Sequence, residues 1–432
     1  MNNASRPLVV VLVLMGIVNL RPLAGQTSEP SDGNAPVERV TLEEALARFA
    51  QSNLELAVAR SRLGQALASA AQAGAFPNPE LSSTSERLGN AGADLSETYL
   101  NVSQRVEWSG ARGARRASAL HAAQAAAHRL EEDSTRLAFK VKSAYVEALM
   151  AEARLEALEE AAATVRRVEV AGIERLEEGD ISAYEVQRLG LERARFELAL
   201  AASELEVEET RRALGSLISS GDRLRPAAPV EAISGTPPPV SLADLLTLAR
   251  EAHPAVRASE EEVLSAMEGL RAVERGRLPN PTLTGGYKTQ SDDFQGVFLG
   301  ISLPVPLFDR SRGAIESQAA QTRAAEDRVM LERQRVEWEV VRTFERYTSL
   351  RAQAGEVRPR LLLPSADLLE IAQLAYEEGA MSLLELLDAT EAFRYARTQT
   401  AELDGELWIA FFDLERAANG ADLDTAQTEG GE

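Results

Sequence analysis

Hydrophobic side chains follow two different periods along this chain, and the periods alternate in the same order twice. From about Gly110 to Glu178, and again from Val336 to Leu361, apolar side chains recur at the three- and four-residue spacing of a coiled-coil seam. At 1.5 Å per residue, a helix of roughly 70 residues is about 100 Å long. The pattern therefore predicts two very long helices, which suit a conduit or a spacer better than a compact enzyme domain.

Each long helical segment is preceded by a stretch with the two-residue period of a β-strand. Residues 97–106 and 297–303 alternate apolar with polar or small side chains, and a weaker strand precedes each of them. We therefore predict two hairpins, at about residues 80–107 and 282–304. Their strands, at roughly 9 to 11 residues, have the length that spans a bilayer when tilted.

Four such strands cannot form a membrane sheet alone. The sheet would have two open edges, and each backbone group left unsatisfied in hydrocarbon costs several kcal/mol. Either the hairpins pair with those of other copies of the chain, or they are solvated hairpins that cap a helical bundle. Periodicity alone leaves both possibilities open.

Four short segments recur in the same order after about 200 residues, which indicates a tandem duplication. Each copy begins with a capping-box pattern, which is weaker in the second copy, and a Pro-Asn-Pro element then ends the helical period. We predict one helix between these two signals, ending near Gly74 and Arg277. The recurring pairs are residues 40–46 and 240–246, 76–81 and 278–283, Gly113 and Gly313, and 177–182 and 377–382.

The duplication divides the chain into a first repeat at residues 40–218 and a second at 240–418. A stretch rich in Pro, Gly and Ser at 219–239 joins them as a linker. Residues 1–25 have the basic start, short apolar run and small-residue end of a secretory signal peptide, whereas a membrane anchor needs ~20 apolar residues. The acidic residues 419–432 are predicted to be disordered.

Composition excludes several kinds of chemistry. The formal net charge of −21 makes nucleic acid an improbable partner, and the absence of cysteine excludes disulfides and thiolate metal sites. His121 and His128 share a helical face but lack the neighbours of a metal site, and His253 is interpreted as structural. No phosphate-binding loop or nucleophile elbow is present. We expect no enzyme activity, no cofactor and no resident metal.

The repeated order of helix, hairpin and long helix, the Leu-Pro-Asn-Pro element and the Tyr-x-x-Gly turn resemble the TolC family of outer-membrane efflux proteins. The resemblance extends from about Val40 to Ala418. It implies a mainly α protomer with a β-barrel part, in which long coiled-coil helices accompany four strands. Three copies would then form a 12-stranded outer-membrane barrel above a periplasmic α-helical tunnel. It also implies that the shorter helices stack end to end beside each long one.

The resemblance also places a periplasmic gate at the turn before the last helix, where residues 376–390 match the family segment position by position. Glu385 and Asp388 fall on its acidic ring, and Tyr376 on a tyrosine that latches the closed state. Met381 stands where the best-known member has a basic latch residue, which is a departure from the family pattern. The alternative is that both acids are ordinary solvated helix residues. The turns that would dock an adaptor are marked by Gly179, Ser182, Gly379 and Ser382.

Functionally, the resemblance implies a passive exit duct for metal ions, drugs or other small solutes across the periplasm and outer membrane. Its implied partners are two further copies of the chain, a periplasmic adaptor, an inner-membrane pump of the resistance-nodulation-division type, and outer-membrane lipid. A type I protein-secretion duct has the same architecture. A periplasmic coiled-coil adaptor without a pore is the alternative of another class, although adaptors normally carry a lipoyl-like or barrel domain where this chain has hairpins.

Overall fold

A computed structural model describes residues 37–90, 93–219, 225–230 and 235–418 of the chain. These residues all belong to one compact unit that starts at residue 36. The predicted signal peptide at 1–25 and the acidic tail at 419–432 lie outside the described residues, as do residues 220–224 and 231–234 of the linker at 219–239. The assignments of these three segments stay predictions.

Most of the described residues are helical, in the same order in both halves. The first half contains α1 Leu42–Ser52, α2 Leu54–Ala73, α3 Ala111–Glu178 and α4 Ala183–Ile218. The second half contains α5 Leu242–Ala252, α6 Pro254–Gly276, α7 Arg312–Glu377 and α8 Leu383–Ala418. Helices α3 and α7 have 68 and 66 residues, which confirms the two long helices predicted from the coiled-coil spacing.

The prediction of one helix before each Pro-Asn-Pro element was wrong, because a polar cap divides each of these helices. Between α1 and α2, the Asn53 side chain accepts a hydrogen bond from the Leu56 N–H at 3.0 Å. Between α5 and α6, His253 Nδ1 accepts from the Ala255 N–H at 3.2 Å. Both capping residues have extended backbone and start a second helix, so each helix restarts after a single residue.

The junction between α1 and α2 also receives the end of α4. The Ser52 hydroxyl donates to the Ile218 carbonyl oxygen at 2.8 Å, and the Asn53 amide donates to the Leu217 oxygen at 3.0 Å. These two bonds satisfy carbonyl groups that the last turn of a helix leaves without an intrahelical partner. The short helices α2 and α4 therefore lie end to end beside α3, with their junction held by side chains.

One four-stranded antiparallel sheet joins the two predicted hairpins, in the order β2-β3-β5-β6. Its strands are β2 Glu80–Asn90, β3 Ala93–Arg105, β5 Thr282–Gln290 and β6 Gln295–Ser302. Strands β3 and β5 pair from Glu97 opposite Gln290 to Arg105 opposite Thr282, so the two repeats are neighbours in the sheet. A separate parallel pair consists of β1 Glu38–Val40 and β4 Ala227–Pro229.

The two faces of this sheet differ in chemistry. On β6, Leu299 is 91% exposed, whereas Phe298 on the opposite face is partly covered. The exposed apolar side chains on the face that carries Leu299 include Leu81, Leu100, Val102, Leu283, Val297 and Ile301. An apolar face of this extent is typical of a surface that meets lipid or a partner.

The helices form a layer four helices wide. Near the sheet, α3 packs between α2 and α6, and α6 packs on α7. Toward the opposite ends of the long helices, α3 packs between α4 and α8, and α8 packs on α7. The core includes the fully buried rings of Tyr347 and Phe411. No helix in the described part of the chain combines the length and the hydropathy that crossing a bilayer requires.

Candidate gate at the helical turns

Each long helix ends in a tight turn that only glycine adopts without strain. Gly179 follows α3 with φ +85°, and its N–H donates to the Leu176 oxygen at 3.1 Å. Gly379 follows α7 with φ +73°, and its N–H donates to the Tyr376 oxygen at 3.1 Å. Nothing lies within 4 Å of a Cβ built on either glycine, so the requirement comes from the backbone rather than from crowding.

A capping box starts the returning helix after each turn. At α4, the Glu185 N–H donates to Ser182 Oγ at 3.3 Å, and the Ser182 N–H donates to Glu185 Oε2 at 2.8 Å. At α8, the Glu385 N–H donates to Ser382 Oγ at 3.4 Å, and the Ser382 N–H donates to Glu385 Oε2 at 2.9 Å. The two turns therefore have the same local construction, with a serine and a glutamate satisfying each other's backbone groups.

The two acids of the predicted gate both lie on α8, but their carboxylates have different surroundings. The Glu385 carboxylate also accepts from the Ser382 hydroxyl at 2.7 Å, and these bonds from Ser382 lower the pKa of Glu385. Asp388, which is one turn further along α8, is exposed, and its carboxylate has no hydrogen bond or ion pair to another described residue. The Ser-x-x-Glu spacing was the signal in the sequence for this capping role of Glu385.

Tyr376, the predicted latch residue, lies between the two helical hairpins of one protomer. It is 6% exposed and belongs to a buried cluster with side chains from α3 and α4 as well as α7 and α8. Burial raises the pKa of the Tyr376 hydroxyl, and the Arg175 guanidinium opposes that rise. The other members of the cluster are Val168, Leu189, Ala372, Leu383, Leu386 and Ala389, with Met381 packed against them.

Arg175 is the residue at this site that sequence analysis missed. Its guanidinium carbon lies 5.5 Å from the centroid of the Tyr376 ring, which is within cation–π range. Met381, at the position where a basic latch residue was expected, instead packs its apolar side chain on the same cluster. The positive charge near the tyrosine therefore comes from the last turn of α3. No pattern in the sequence could link residues that lie about 200 positions apart on different hairpins.

The histidines lie outside this region. His121 Nδ1 is 2.7 Å from Glu261 Oε2, and His128 Nδ1 is 3.1 Å from Glu131 Oε2. His253 is buried, and burial lowers its pKa. Within the described residues, no group of three or more His, Asp or Glu side chains is arranged to hold a metal ion.

Sequence comparisons match this chain to proteins named for outer membrane efflux, metal resistance and cation efflux. The family model described as "Outer membrane efflux protein" matches residues 245–420. The cobalt-zinc-cadmium resistance protein CzcC of Cupriavidus metallidurans is 26% identical over 381 residues, which cover 87% of this chain and 89% of that protein. The cation efflux system protein CusC of Escherichia coli K12 is 26% identical over 294 residues, covering 65% of this chain and 62% of CusC.

Solved structures share the fold over nearly the whole chain. A crystal structure of CusC has a TM-score of 0.73 and 19% identity, covering 88% of this chain and 92% of that one. The CmeC outer membrane channel of Campylobacter jejuni has a TM-score of 0.73 and 18% identity, covering 90% and 88%. The family model thus matches residues 245–420, and the chain shares its fold, with duplicated helices and a four-stranded sheet, with the solved CusC and CmeC structures over most of its length.

Proposed function

We propose that this protein is the outer-membrane channel of a tripartite efflux system and forms a passive exit duct for metal ions, drugs or other small solutes. The observation that carries the proposal is the combination, in one chain, of a sheet with an exposed apolar face and a layer of very long helices. At 1.5 Å per residue, the 68 residues of α3 extend for about 100 Å. A protomer of this shape supplies both a membrane segment and a passage toward the inner membrane.

Closure of the membrane part requires further copies of the chain. Strands β2 and β6 are the two edges of the sheet, and their backbone groups would be costly to leave unpaired in lipid. Three copies pairing β6 of one with β2 of the next complete a barrel of 12 strands, with the apolar face toward lipid. The homotrimer and its contact with outer-membrane lipid follow from this arrangement.

We place the gate of the channel at the turn between α7 and α8. Threefold symmetry would bring three copies of Glu385 and Asp388 around the axis. Because the Glu385 carboxylate is engaged by Ser382, Asp388 is the more available charge for drawing in cations. Tyr376 and Arg175 would hold the closed position by joining the two hairpins.

The partners of the channel would meet these turns. A periplasmic adaptor would dock on the tips formed by Gly179 with Ser182 and by Gly379 with Ser382, because the tips are exposed and lie farthest from the sheet. An inner-membrane pump of the resistance-nodulation-division type would then supply the energy. The relatives named for cobalt-zinc-cadmium resistance and for cation efflux favour metal ions among the possible solutes.

The test is single-channel recording in planar bilayers with the full chain, extracted from outer membranes in detergent. The proposal expects discrete, cation-preferring conductance steps from a trimer. A folded protein that gives no conductance would refute the channel and leave a periplasmic scaffold, whereas pores that pass only unfolded polypeptide in transport assays would point to protein secretion.

A further inference from the structure

A charged cluster around Glu97 joins the two inner strands of the sheet. Glu97 Oε2 lies 2.9 Å from Lys288 Nζ and accepts a hydrogen bond from the Tyr99 hydroxyl at 2.6 Å. The amide of Gln290 also donates to the Glu97 carboxylate. The Lys288 ammonium lies 5.1 Å from the centroid of the Tyr99 ring. The carboxylate is thus held by three side chains on two strands from different repeats.

An aromatic contact from a third strand fixes the position of Tyr99. Phe298 on β6 packs edge-to-face on the Tyr99 ring, with 6.1 Å between the centroids. Gly286 lies opposite Phe298, and a Cβ there would approach the Phe298 ring to 2.6 Å. The missing side chain at Gly286 therefore makes room for the ring that supports Tyr99.

This cluster lies on the polar face of the sheet. Tyr99 is paired with Lys288, and Phe298 on β6 lies on the same face, whereas Val297 and Leu299 on either side of it point the other way. That opposite face carries Val297, which is 83% exposed. Because spanning strands alternate lipid-facing apolar residues with residues that face the lumen, the cluster faces the lumen.

The cluster also lies at the end of the sheet that is far from the helices. The chain enters β2 from α2 at residue 80 and leaves β3 for α3 at residue 105, so both helical connections are at one end. Glu97 and Gln290 are near the opposite end, next to the hairpin turns. If the helices are periplasmic, as in the proposed function on which this inference rests, the cluster is close to the external mouth.

The balance of charge at this level depends on one lysine. Glu86 pairs with Glu97 across β2 and β3 and therefore lies on the same face, and Glu86 has no ion pair within the described residues. Each protomer then places two carboxylates and the Lys288 ammonium near the hairpin-turn end of the polar face. Lys288 is one of only three lysines in a chain whose net charge is −21.

We propose that Glu97, Lys288 and Tyr99 form a specificity-determining ring near the external mouth of the channel, with small hydrated cations as the permeating class. Lys288 cancels the charge of Glu97, and Glu86 leaves one net negative charge per protomer. The ring therefore sets a moderate preference for cations. Tyr99 is a positioning residue in this ring, because it acts by orienting the Glu97 carboxylate.

The experiment measures reversal potentials in planar bilayers under a salt gradient, for purified trimers of the full chain. Lys288→Gln doubles the net negative charge at this level, so the cation-to-anion permeability ratio should rise roughly twofold or more in about 0.1 M salt. Glu97→Gln should lower the ratio, and the double variant should return to the wild-type ratio. Both single-variant differences should shrink near 1 M salt, where the Debye length falls to about 3 Å.

Arg87→Gln is the matched control. Like Lys288→Gln, it removes one positive charge near the hairpin-turn end of the sheet. Arg87, however, is on β2 and lies on the apolar face. The proposal expects no change in permeability ratio for this variant. Lys288→Gln and Glu97→Gln pores with the wild-type ratio, or with the ratio of Arg87→Gln, would overturn the ring while the channel itself stands.

Failed assembly of a variant and the absence of wild-type pores have separate interpretations. If Lys288→Gln fails to assemble as a trimer, the exchanged variant Glu97→Lys with Lys288→Glu keeps the ion pair and should assemble with wild-type selectivity. An exchanged variant with strongly altered selectivity would overturn the assigned charge balance. The absence of pores in the wild-type protein would refute the proposed function instead of the ring.

Discussion

Removing the Tyr376 side chain should open the closed channel. The ring is 6% exposed and packs between the two hairpins, with Arg175 against its face. Truncating a buried aromatic residue to alanine costs about 3 kcal/mol or more, and a cation–π contact of this kind contributes about 0.5–1 kcal/mol. If opening separates the hairpins at this cluster, most of that energy is lost from the closed state alone.

The expected size of the effect follows from these values. A loss of about 3 kcal/mol from the closed state raises the open-to-closed ratio roughly 100-fold, since each 1.4 kcal/mol is a factor of ten. Tyr376→Phe keeps the ring and its contact with Arg175, and should change the ratio much less. The open probability in single-channel recordings measures both variants directly.

The matched control is Tyr184→Ala, at the start of the other returning helix. Tyr184 is 69% exposed and is absent from the buried cluster, so its removal should leave the open probability unchanged. An unchanged open probability in Tyr376→Ala, with the trimer intact, would refute the reasoning that the cluster holds the gate closed. Equal effects of the two substitutions would refute it as well.

Three further perturbations test other parts of the structure. Asp388→Asn should reduce the cation preference of the pore more than Glu385→Gln, because Ser382 already engages the Glu385 carboxylate; equal shifts in reversal potential would contradict this. Gly379→Ala places a side chain at a residue with φ +73° and should lower the free energy of unfolding by about 1 kcal/mol or more. Gly355→Ala inside α7 adds a methyl group in open space and should raise the free energy of unfolding by up to about 1 kcal/mol; thermal unfolding measures both variants. Burial lowers the pKa of His253, so the unfolded chain binds a proton at this imidazole more readily than the folded chain does. The free energy of unfolding should therefore fall as the pH drops through about 6.5. His253→Asn keeps a helix-capping side chain and should make the free energy of unfolding less dependent on pH in this range.

The coiled-coil seam and the strand alternation were visible in the sequence because each element carries apolar side chains on one face and polar or small side chains on the other. Val141 and Val340, which are seam positions in the two repeats, are both fully buried. The alternation around Leu299 and Ile301 likewise produced a strand with one apolar face. Periodicity of this kind depends only on local backbone geometry, so the sequence shows it whichever elements pack against the helix or strand.

The candidate gate was only partly predictable. The turns at Gly179 and Gly379 followed from local signals, since a positive φ selects glycine wherever the rest of the chain lies. The Ser-x-x-Glu spacing predicts a capping role for Glu385, whereas the family resemblance predicted a role for its charge in the gate. The helix break at Asn53 was missed because a single capping residue barely disturbs the hydrophobic period.

By itself, the sequence determined the duplicated order of helix, hairpin and long helix, the apolar face of the sheet and the glycine turns, because all of these arise from neighbours within a few residues. Only the tertiary structure decided which distant residues meet. It placed Arg175 on Tyr376 and Lys288 on Glu97, pairs that lie about 200 residues apart in the chain. Such contacts depend on how the two repeats pack side by side, and no local pattern contains that information.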